Sequence, residues 1–184
     1  MKALAVALII GIFCTIAPAM AQDGGYSLNP GDVLQISVWK EEGLERQVLV
    51  LPDGMISFPL AGHLKAAGRT AQEVQAELSK RIEQYIPEPV VTVSVATVGG
   101  NKIYVIGQVN RPGEFLATRR IDVMQALSLA GGLTAFADEN AIKVLRRNGG
   151  KEVAIPFDYS AVKKGTKLEL NVVLQSGDVV VVPD

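Results

Sequence analysis

The sequence predicts an α+β fold made of two small modules, and three observations lead to that prediction. Most of the chain consists of short runs in which apolar, often β-branched residues alternate with polar ones, as expected of half-buried strands. Two segments carry the apolar spacing and capping residues of helices. Gly99-Gly100-Asn101 follows the most strand-like run of the chain and marks the boundary that we predict between the modules.

The first 21 residues have the features of a secretory signal peptide. Lys2 precedes an apolar run, and the small-residue frame Ala19-Met20-Ala21 predicts cleavage between Ala21 and Gln22. The alternative is a membrane anchor that stays in place. The apolar stretch before Pro18 is shorter than the roughly 20 residues that a spanning helix needs, so we expect residues 1–21 to be removed and the mature protein to be exported.

The single cysteine, Cys14, lies inside this predicted signal. A lipid-attachment cysteine would follow small residues, whereas Phe13 precedes Cys14, so we expect no lipidation. Removal of residues 1–21 leaves 163 residues with 17 basic and 19 acidic side chains. A near-neutral surface of mixed charge argues against nucleic-acid binding, and stability must come from apolar burial rather than from disulfides.

The first module, predicted over residues 22–98, combines strands with one amphipathic helix. The turn residues Pro52-Asp53-Gly54 predict a hairpin between the two runs beside them, closed by residues 59–62. Thr70 and Glu73 form a capping box at the start of the helix, which Pro87 must end. The strand-like runs are residues 33–39, 47–51, 55–58 and 90–98, and the buried helix face is Val74, Leu78 and Ile82.

The second module, predicted over residues 101–184, also combines strands with one helix. Asp122 caps a helix that Gly131 and Gly132 end, and its largely apolar body predicts burial on most sides. Asn148-Gly149-Gly150 predicts a hairpin. The strand-like runs are residues 102–109, 114–116, 142–147, 153–157 and 177–182.

Two four-residue segments, 30–33 and 176–179, resemble each other. Each places an aspartate, Asp32 or Asp178, after a glycine and before an apolar strand. A recurrent turn type explains the likeness as well as an internal duplication does. In such turns, as in the one that contains Asp53, the carboxylate typically accepts local backbone N–H bonds, so these acids are predicted to stabilise turns.

Residues able to carry chemistry are few. His63 is the one histidine of the chain, too few ligands for the usual zinc sites, and is expected to be a solvated loop residue. The sequence contains no G-x-S-x-G nucleophile motif and no Gly-rich phosphate loop. Two carboxylates suffice for glycoside hydrolysis, but Glu41-Glu42 and Asp138-Glu139 fit solvated loops best. We therefore predict no catalytic residue, no metal site and no cofactor.

Trp39 ends the first strand-like run. An aromatic side chain there could stack on a sugar ring, but a place in the core or in an interface fits its position better. Low aromatic content, 5%, also argues against a dedicated carbohydrate-binding module.

Two sets of motifs resemble a known family. Tyr26-x-Leu28-x-Pro30-Gly31-Asp32-x-Leu34-x-Ile36-x-Val38-Trp39, with Pro52-Asp53-Gly54 and Pro59-Leu60-x-Gly62, looks like a polysaccharide-export domain. Val105-x-Gly107-x-Val109-x-x-Pro112-Gly113-x-Phe115 is similar to a soluble-ligand-binding β-grasp (SLBB) domain. The motif positions expected to act in structure or assembly are Tyr26, Pro30, Gly31, Asp32, Trp39, Pro52, Asp53, Gly54, Pro59, Gly62, Gly107, Val109, Pro112, Gly113, Gly131, Gly132, Gly177 and Asp178.

The resemblance implies a non-enzymatic part in the export of capsular polysaccharide or exopolysaccharide across the periplasm and outer membrane. Proteins of this family form homo-oligomeric rings around a passage for the polysaccharide chain and meet an inner-membrane polysaccharide co-polymerase. This chain departs from the family pattern, with one β-grasp module and no C-terminal pore helix after Val182-Pro183-Asp184. We therefore hypothesise a periplasmic ring, associated with the outer membrane, that docks onto a separate outer-membrane channel protein.

Two other functions stay open at this point. A periplasmic protein that binds a glycan or a small ligand would need a pocket lined by convergent polar and aromatic groups, and would bind its ligand saturably as a monomer. An enzyme acting on polysaccharide would lose turnover on replacement of Asp53 and Asp138.

Overall fold

The computed structural model describes residues 25–184. The predicted signal peptide, its cleavage site between Ala21 and Gln22, and Cys14 lie outside the described residues. Within them, ten strands form three sheets, and three α-helices pack beside the strands. The predicted α+β class is confirmed.

Buried apolar side chains form two separate clusters along the chain. The first gathers residues between Leu28 and Val93, and the second gathers residues between Ile103 and Val182. Each cluster is a hydrophobic core of its own, made of residues in mutual contact. We call the segment around the first core, residues 25–98, the first module, and the segment around the second core, residues 101–184, the second module.

The first module is built on a three-stranded antiparallel sheet with β1 in the middle, in the order β2-β1-β5. Alternate residues of β1, namely Leu34, Ile36 and Val38, are buried, as the sequence pattern predicts. The elements of this module are β1 (Val33–Val38), β2 (Arg46–Leu49), β3 (Met55–Phe58), β4 (Gly62–Lys65), α1 (Ala71–Ile82) and β5 (Val91–Thr97).

The predicted hairpin across Pro52-Asp53-Gly54 is wrong in its pairing. Strand β2 pairs with β1, whereas β3 pairs with β4, a strand that the sequence pattern did not indicate. The segment predicted to close the first hairpin is the turn of the second, and Leu60 within it has a positive φ of 63°. Leu51 N–H still bonds to the Met55 carbonyl at 2.9 Å, so Pro52-Asp53-Gly54 does form a turn, but one that leads the chain from one sheet to another.

Helix α1 begins as the sequence predicts. The Thr70 hydroxyl accepts a hydrogen bond from Glu73 N–H at 3.2 Å, and the Glu73 carboxylate accepts one from Thr70 N–H at 2.7 Å. The bond from the Thr70 backbone lowers the pKa of Glu73. The helix ends at Ile82, a few residues earlier than expected. Its buried face is confirmed as Val74, Leu78 and Ile82.

The second module contains a five-stranded sheet in the order β7-β6-β10-β8-β9. Its C-terminal strand β10 lies in the centre, parallel to β6 and antiparallel to β8. Because β10 is flanked on both sides, the last strand of the chain completes the core of this module. The elements are β6 (Lys102–Gly107), β7 (Gly113–Leu116), α2 (Val123–Leu129), β8 (Ile142–Asn148), β9 (Lys151–Phe157), α3 (Tyr159–Lys163) and β10 (Val179–Val182).

Helix α2 has the predicted Asp122 cap but is less buried than predicted. Val123, Ala126 and Leu127 face the core, whereas Leu129 is exposed. A seven-residue helix makes barely two turns, so one side stays in solvent despite its apolar sequence. Helix α3 was not predicted. It is one short turn capped by Asp158, which accepts a hydrogen bond from Ala161 N–H at 2.9 Å.

Two single residues lie elsewhere than predicted. The Trp39 side chain is 71% exposed, so the core position is wrong and an interface position stays a prediction. His63 is exposed as expected, but it lies on β4 rather than in a loop. Between residues 25 and 184, no helix combines the length and the apolar character required to cross a membrane.

Candidate functional site

Residues 29–32, the first Gly-Asp turn, bring the chain into β1. Gly31 has a φ of +97°, a conformation that glycine adopts without strain. Asp32 N–H bonds back to the Asn29 carbonyl at 3.1 Å, and one Asp32 carboxylate oxygen accepts Asn29 N–H at 2.8 Å. Asp32 is fully buried. Its predicted role in stabilising the local turn agrees with these bonds.

The other Asp32 carboxylate oxygen binds the linker between the modules. It accepts hydrogen bonds from Gly99 N–H at 3.0 Å and from Gly100 N–H at 2.8 Å. A Cβ atom on Gly100 would overlap the Pro30 carbonyl oxygen, and one on Gly99 would lie 2.5 Å from the Gly31 carbonyl oxygen. The linker therefore lies against the turn closely enough that side chains are excluded at both of its glycines.

The Tyr26 hydroxyl completes the shell around Asp32. It donates a hydrogen bond to the carboxylate at 2.7 Å and accepts one from the Asn29 side-chain amide at 3.1 Å. Partial burial, together with the bond to Asp32, raises the pKa of Tyr26 above its usual range. The phenol therefore stays protonated and acts as a fixed donor to the buried carboxylate.

Residues 175–178, the second Gly-Asp turn, have the same geometry before β10. Gly177 has a φ of +86°, and Asp178 N–H bonds to the Gln175 carbonyl at 3.1 Å. The buried Asp178 carboxylate accepts Gln175 N–H at 2.8 Å. Its remaining bonds go to the Arg146 guanidinium, at 2.6 Å and 3.0 Å. Arg146 also donates to the Val173 carbonyl at 2.9 Å.

The second turn also reaches the linker. The Ser176 hydroxyl donates to the Gly100 carbonyl at 2.7 Å, and Gly177 N–H bonds to the Lys102 carbonyl at 2.7 Å. The linker is thus bonded to the first turn through its N–H groups and to the second turn through a carbonyl. We call the two Gly-Asp turns and Gly99-Gly100 together the junction. These bonds connect both modules to the same linker.

A cleft of about 810 Å³ lies beside the junction, between the modules. The first module contributes residues 25–27, Asn29 and the end of β5, and the second contributes Asn101 and residues 118–120 and 173–176. The cleft is open to solvent and has both apolar and polar lining. Among residues 25–184, the charged residues that line it are Arg119 and Arg120, and none of these described residues brings a carboxylate into it.

The predicted motif residues lie in four places. Tyr26, Pro30, Gly31, Asp32, Gly177 and Asp178 meet at the junction. Trp39 lies at the end of β1 away from the junction. The turns at either end of β3 hold Pro52, Asp53, Gly54, Pro59 and Gly62. The end of β6 away from the junction, and the loops beside it, hold Gly107, Val109, Pro112, Gly113, Gly131 and Gly132.

The residues considered for chemistry do not come together. Asp53 accepts Met55 N–H at 2.9 Å, and Asp138 accepts Asn140 N–H at 3.0 Å, so both serve local turns. His63 lies exposed on β4. Across residues 25–184, no three His, Cys, Asp or Glu side chains are grouped so as to hold a metal ion. The polar side chains of the described residues instead form hydrogen bonds that connect the modules to the linker, and they line an open cleft.

Sequence reasoning missed three side chains of this region. Arg146 pairs with Asp178 across 32 positions, Ser176 bonds to the linker across 76 positions, and Arg119 reaches the cleft from the loop before α2. The repeated Gly-Asp segment was a usable signal for the turns themselves. The sequence carries no periodicity or spacing that identifies the partners of the turns.

The fold and the junction define a two-module chain in which both modules bond to one linker, with no grouped reactive side chains in the described residues. Comparison with known families agrees with this division. Residues 20–96 match the family model described as "Polysaccharide biosynthesis/export protein", and residues 101–182 match the SLBB domain. The chain belongs to the polysaccharide biosynthesis/export family and carries an SLBB domain.

Individual relatives give the same result. The chain is 29% identical over 190 residues to the EPS I polysaccharide export outer membrane protein EpsA of Ralstonia nicotianae, covering 90% of the chain and 49% of that protein. It is 27% identical to the capsule polysaccharide export protein BexD of Haemophilus influenzae, covering 86% of the chain and 44% of the relative. The chain therefore spans about half the length of the curated relatives it matches.

Proposed function

We propose that this protein is a non-enzymatic component of capsular polysaccharide or exopolysaccharide export across the periplasm and outer membrane. The observation that carries the proposal is that both modules match family models. The export domain comes first and the SLBB domain follows it after few residues. The relatives named above are export proteins of polysaccharides, and EpsA is named as an outer membrane protein. We place this chain in the periplasm, associated with the outer membrane and without a lipid anchor.

A scaffold role agrees with how the polar groups are used. The two buried carboxylates, Asp32 and Asp178, are saturated by N–H, hydroxyl and guanidinium donors. A catalytic carboxylate must instead be open to its substrate. The exposed acids Asp53 and Asp138 bond to their own turns. Holding a polymer loosely needs hydrated polar surface and no reactive group.

Assembly into a homo-oligomeric ring belongs to the same proposal. One face of the five-stranded sheet packs on the core, while the other carries exposed apolar side chains on neighbouring strands. Tyr104 and Ile106 on β6 and Leu145 on β8 are in this set, and Val179 on β10 lies in register between Tyr104 and Leu145. Apolar side chains in such a row favour contact with another protein surface.

The partners implied by the family resemblance complete the proposal: the polysaccharide chain and an inner-membrane polysaccharide co-polymerase. Chemical cross-linking in cells that make the polymer, followed by mass measurement, tests the assembly. We expect a ladder that ends at a closed ring. Ile106→Asp should shorten the ladder, whereas Leu168→Asp, at a more exposed site outside the sheet, should not. A monomer in both variants and wild type contradicts the ring.

Deletion of the gene tests the function directly. We expect polymer to be made but retained inside the cell envelope, and plasmid-borne wild type to restore its release. Plasmid-borne Asp53→Asn/Asp138→Asn should restore release equally, because a scaffold has no turnover to lose. Normal release from the deletion strain would overturn the export role. Failure of the double variant alone, with normal folding and level, would favour an enzyme.

A further inference from the structure

We propose that the cleft between the two modules binds a carboxylate-bearing segment of the polysaccharide. This inference rests on the export function proposed above and adds to it a place on the molecule and a chemical class of ligand. The proposed binding site is the cleft of about 810 Å³ beside the junction. Its volume falls within the range of about 300–1,000 Å³ that is usual for ligand sites.

Charge in the cleft selects for an anion. Arg119 and Arg120 line the cleft, and among residues 25–184 no acidic residue does. Arg120 already interacts with another group, so the charge available to a ligand is that of Arg119. Arg119 is exposed and forms no hydrogen bond or ion pair with the rest of residues 25–184. Residues 22–98 as a whole carry ten acidic and six basic side chains. A local positive site next to an acidic module attracts a carboxylate that the surrounding surface repels.

The lining also suits a sugar ring. Val95, Val98 and Val173 contribute apolar surface, and Ser27 and Gln175 contribute a hydroxyl and an amide. Neither of these two polar side chains is bonded to another described residue. A pyranose ring has apolar C–H faces and a hydroxyl rim, so valines match its faces while hydroxyl, amide and guanidinium groups match its rim. The opening to solvent lets a longer chain enter and leave along the cleft.

Hydrogen bonds connect the two walls of the cleft through the linker. Asp32 bonds the linker to the first module, and Ser176 bonds the same linker to the second. Ser176 is itself a lining residue, and so are Tyr26 and Asn29, which donate hydrogen bonds to Asp32. A site whose walls are already ordered loses less conformational freedom when it binds.

Calorimetric titration of the purified full chain tests the site with two probes of equal length, hexagalacturonate and neutral maltohexaose. We expect hexagalacturonate to bind more tightly. Arg119→Gln should weaken its binding about fivefold, the size expected for one exposed charged contact. Gln175→Glu, which adds a like charge to the rim, should weaken it by about the same factor. The matched control Lys151→Gln removes an exposed charge from the distant β8–β9 turn and should leave both affinities unchanged.

Two results overturn the inference: equal affinity for the anionic and the neutral probe, or wild-type hexagalacturonate affinity in both Arg119→Gln and Gln175→Glu. Circular dichroism of each variant keeps misfolding apart from loss of binding. Failure of the cleft is distinguishable from failure of the export function. If deletion of the gene blocks polymer release while the cleft variants bind normally, the export role stands and the cleft does not take part.

Discussion

Asp32 in the first module and Asp178 in the second occupy equivalent turns but bond to different partners. Each follows a glycine with positive φ, is buried, and accepts the N–H of the residue three positions earlier at 2.8 Å. Beyond the turn, Asp32 bonds to two backbone N–H groups of the linker, whereas Asp178 bonds to the side chain of Arg146. The same turn type therefore connects the first module to the linker through Asp32, and connects β10 to the hairpin strand β8 through Asp178.

The difference matters because a backbone donor is present whatever the residue, whereas a side-chain donor can be replaced. Removal of Asp178 leaves a guanidinium that a second substitution can also remove. Removal of Asp32 leaves N–H groups that no substitution except proline can delete. The junction should therefore depend more strictly on its aspartate than the second module depends on its own.

The largest effect is expected from Asp32→Ala. It leaves the N–H groups of Asn29, Gly99 and Gly100 without their acceptor and the Tyr26 hydroxyl without its own. Each buried unsatisfied group costs about 1–3 kcal/mol, and water entering the site recovers part of it, so we expect a loss of about 4 kcal/mol. Urea unfolding followed by circular dichroism measures it. Asp53→Ala, in an exposed turn, serves as control and should cost under about 1 kcal/mol. Equal stability of the two variants would contradict the role of Asp32.

Asp178→Ala should cost somewhat less, about 3 kcal/mol, because Arg146 is 17% exposed and regains some water when its partner is lost. The double variant Asp178→Ala/Arg146→Met should recover about half of that loss, since it removes the stranded charge as well. Tyr26→Phe added to Asp32→Ala should recover much less of the lost stability, because three backbone N–H groups still have no acceptor. Urea midpoints of the four variants give the comparison. Equal recovery in the two modules would contradict the difference argued above.

Gly100→Ala tests the close approach of the linker. A Cβ atom there overlaps the Pro30 carbonyl oxygen, so the linker must move away from Asp32 and lengthen both of its hydrogen bonds. We expect a loss of about 2 kcal/mol. Gly43→Ala is the matched control, because nothing lies within 4 Å of a Cβ at that position. Thermal unfolding of both variants measures the difference. A midpoint for Gly100→Ala as high as that of Gly43→Ala would contradict the close packing of the linker.

The fold was largely predictable because its signals are local. The capping boxes at Thr70 and Asp122 and the alternation in β1 each lie within a few residues, and the structure contains all of them. Pairing of β3 with β4 was missed because Leu60 adopts a left-handed conformation that leucine rarely takes. A turn signal from glycine and proline is readable in a sequence, but strained backbone at a large apolar residue is not.

Only the local hydrogen bonds within each turn of the junction were predictable from the sequence. Local bonds of Asp32 to Asn29 and of Asp178 to Gln175 follow from turn chemistry. The bonds of Asp32 to Gly99 and Gly100 span 67 and 68 positions and depend on how the modules pack. Arg119 in the cleft was missed for the same reason. It lines the cleft together with residues of the other module, and no spacing in one sequence records that arrangement.

Ser176→Ala should give the smallest effect and the most specific one. It removes a single hydrogen bond to the Gly100 carbonyl at the surface, which is worth about 1 kcal/mol or less. Because the bond joins the second module to the linker, its loss should appear as faster hydrogen exchange at residues 99–102 with little change in the urea midpoint. Ser57→Ala, an exposed serine on β3, serves as control and should leave exchange at the linker unchanged. If Ser176→Ala leaves exchange at the linker at the wild-type rate, Asp32 alone holds the junction, and the second turn serves its own module.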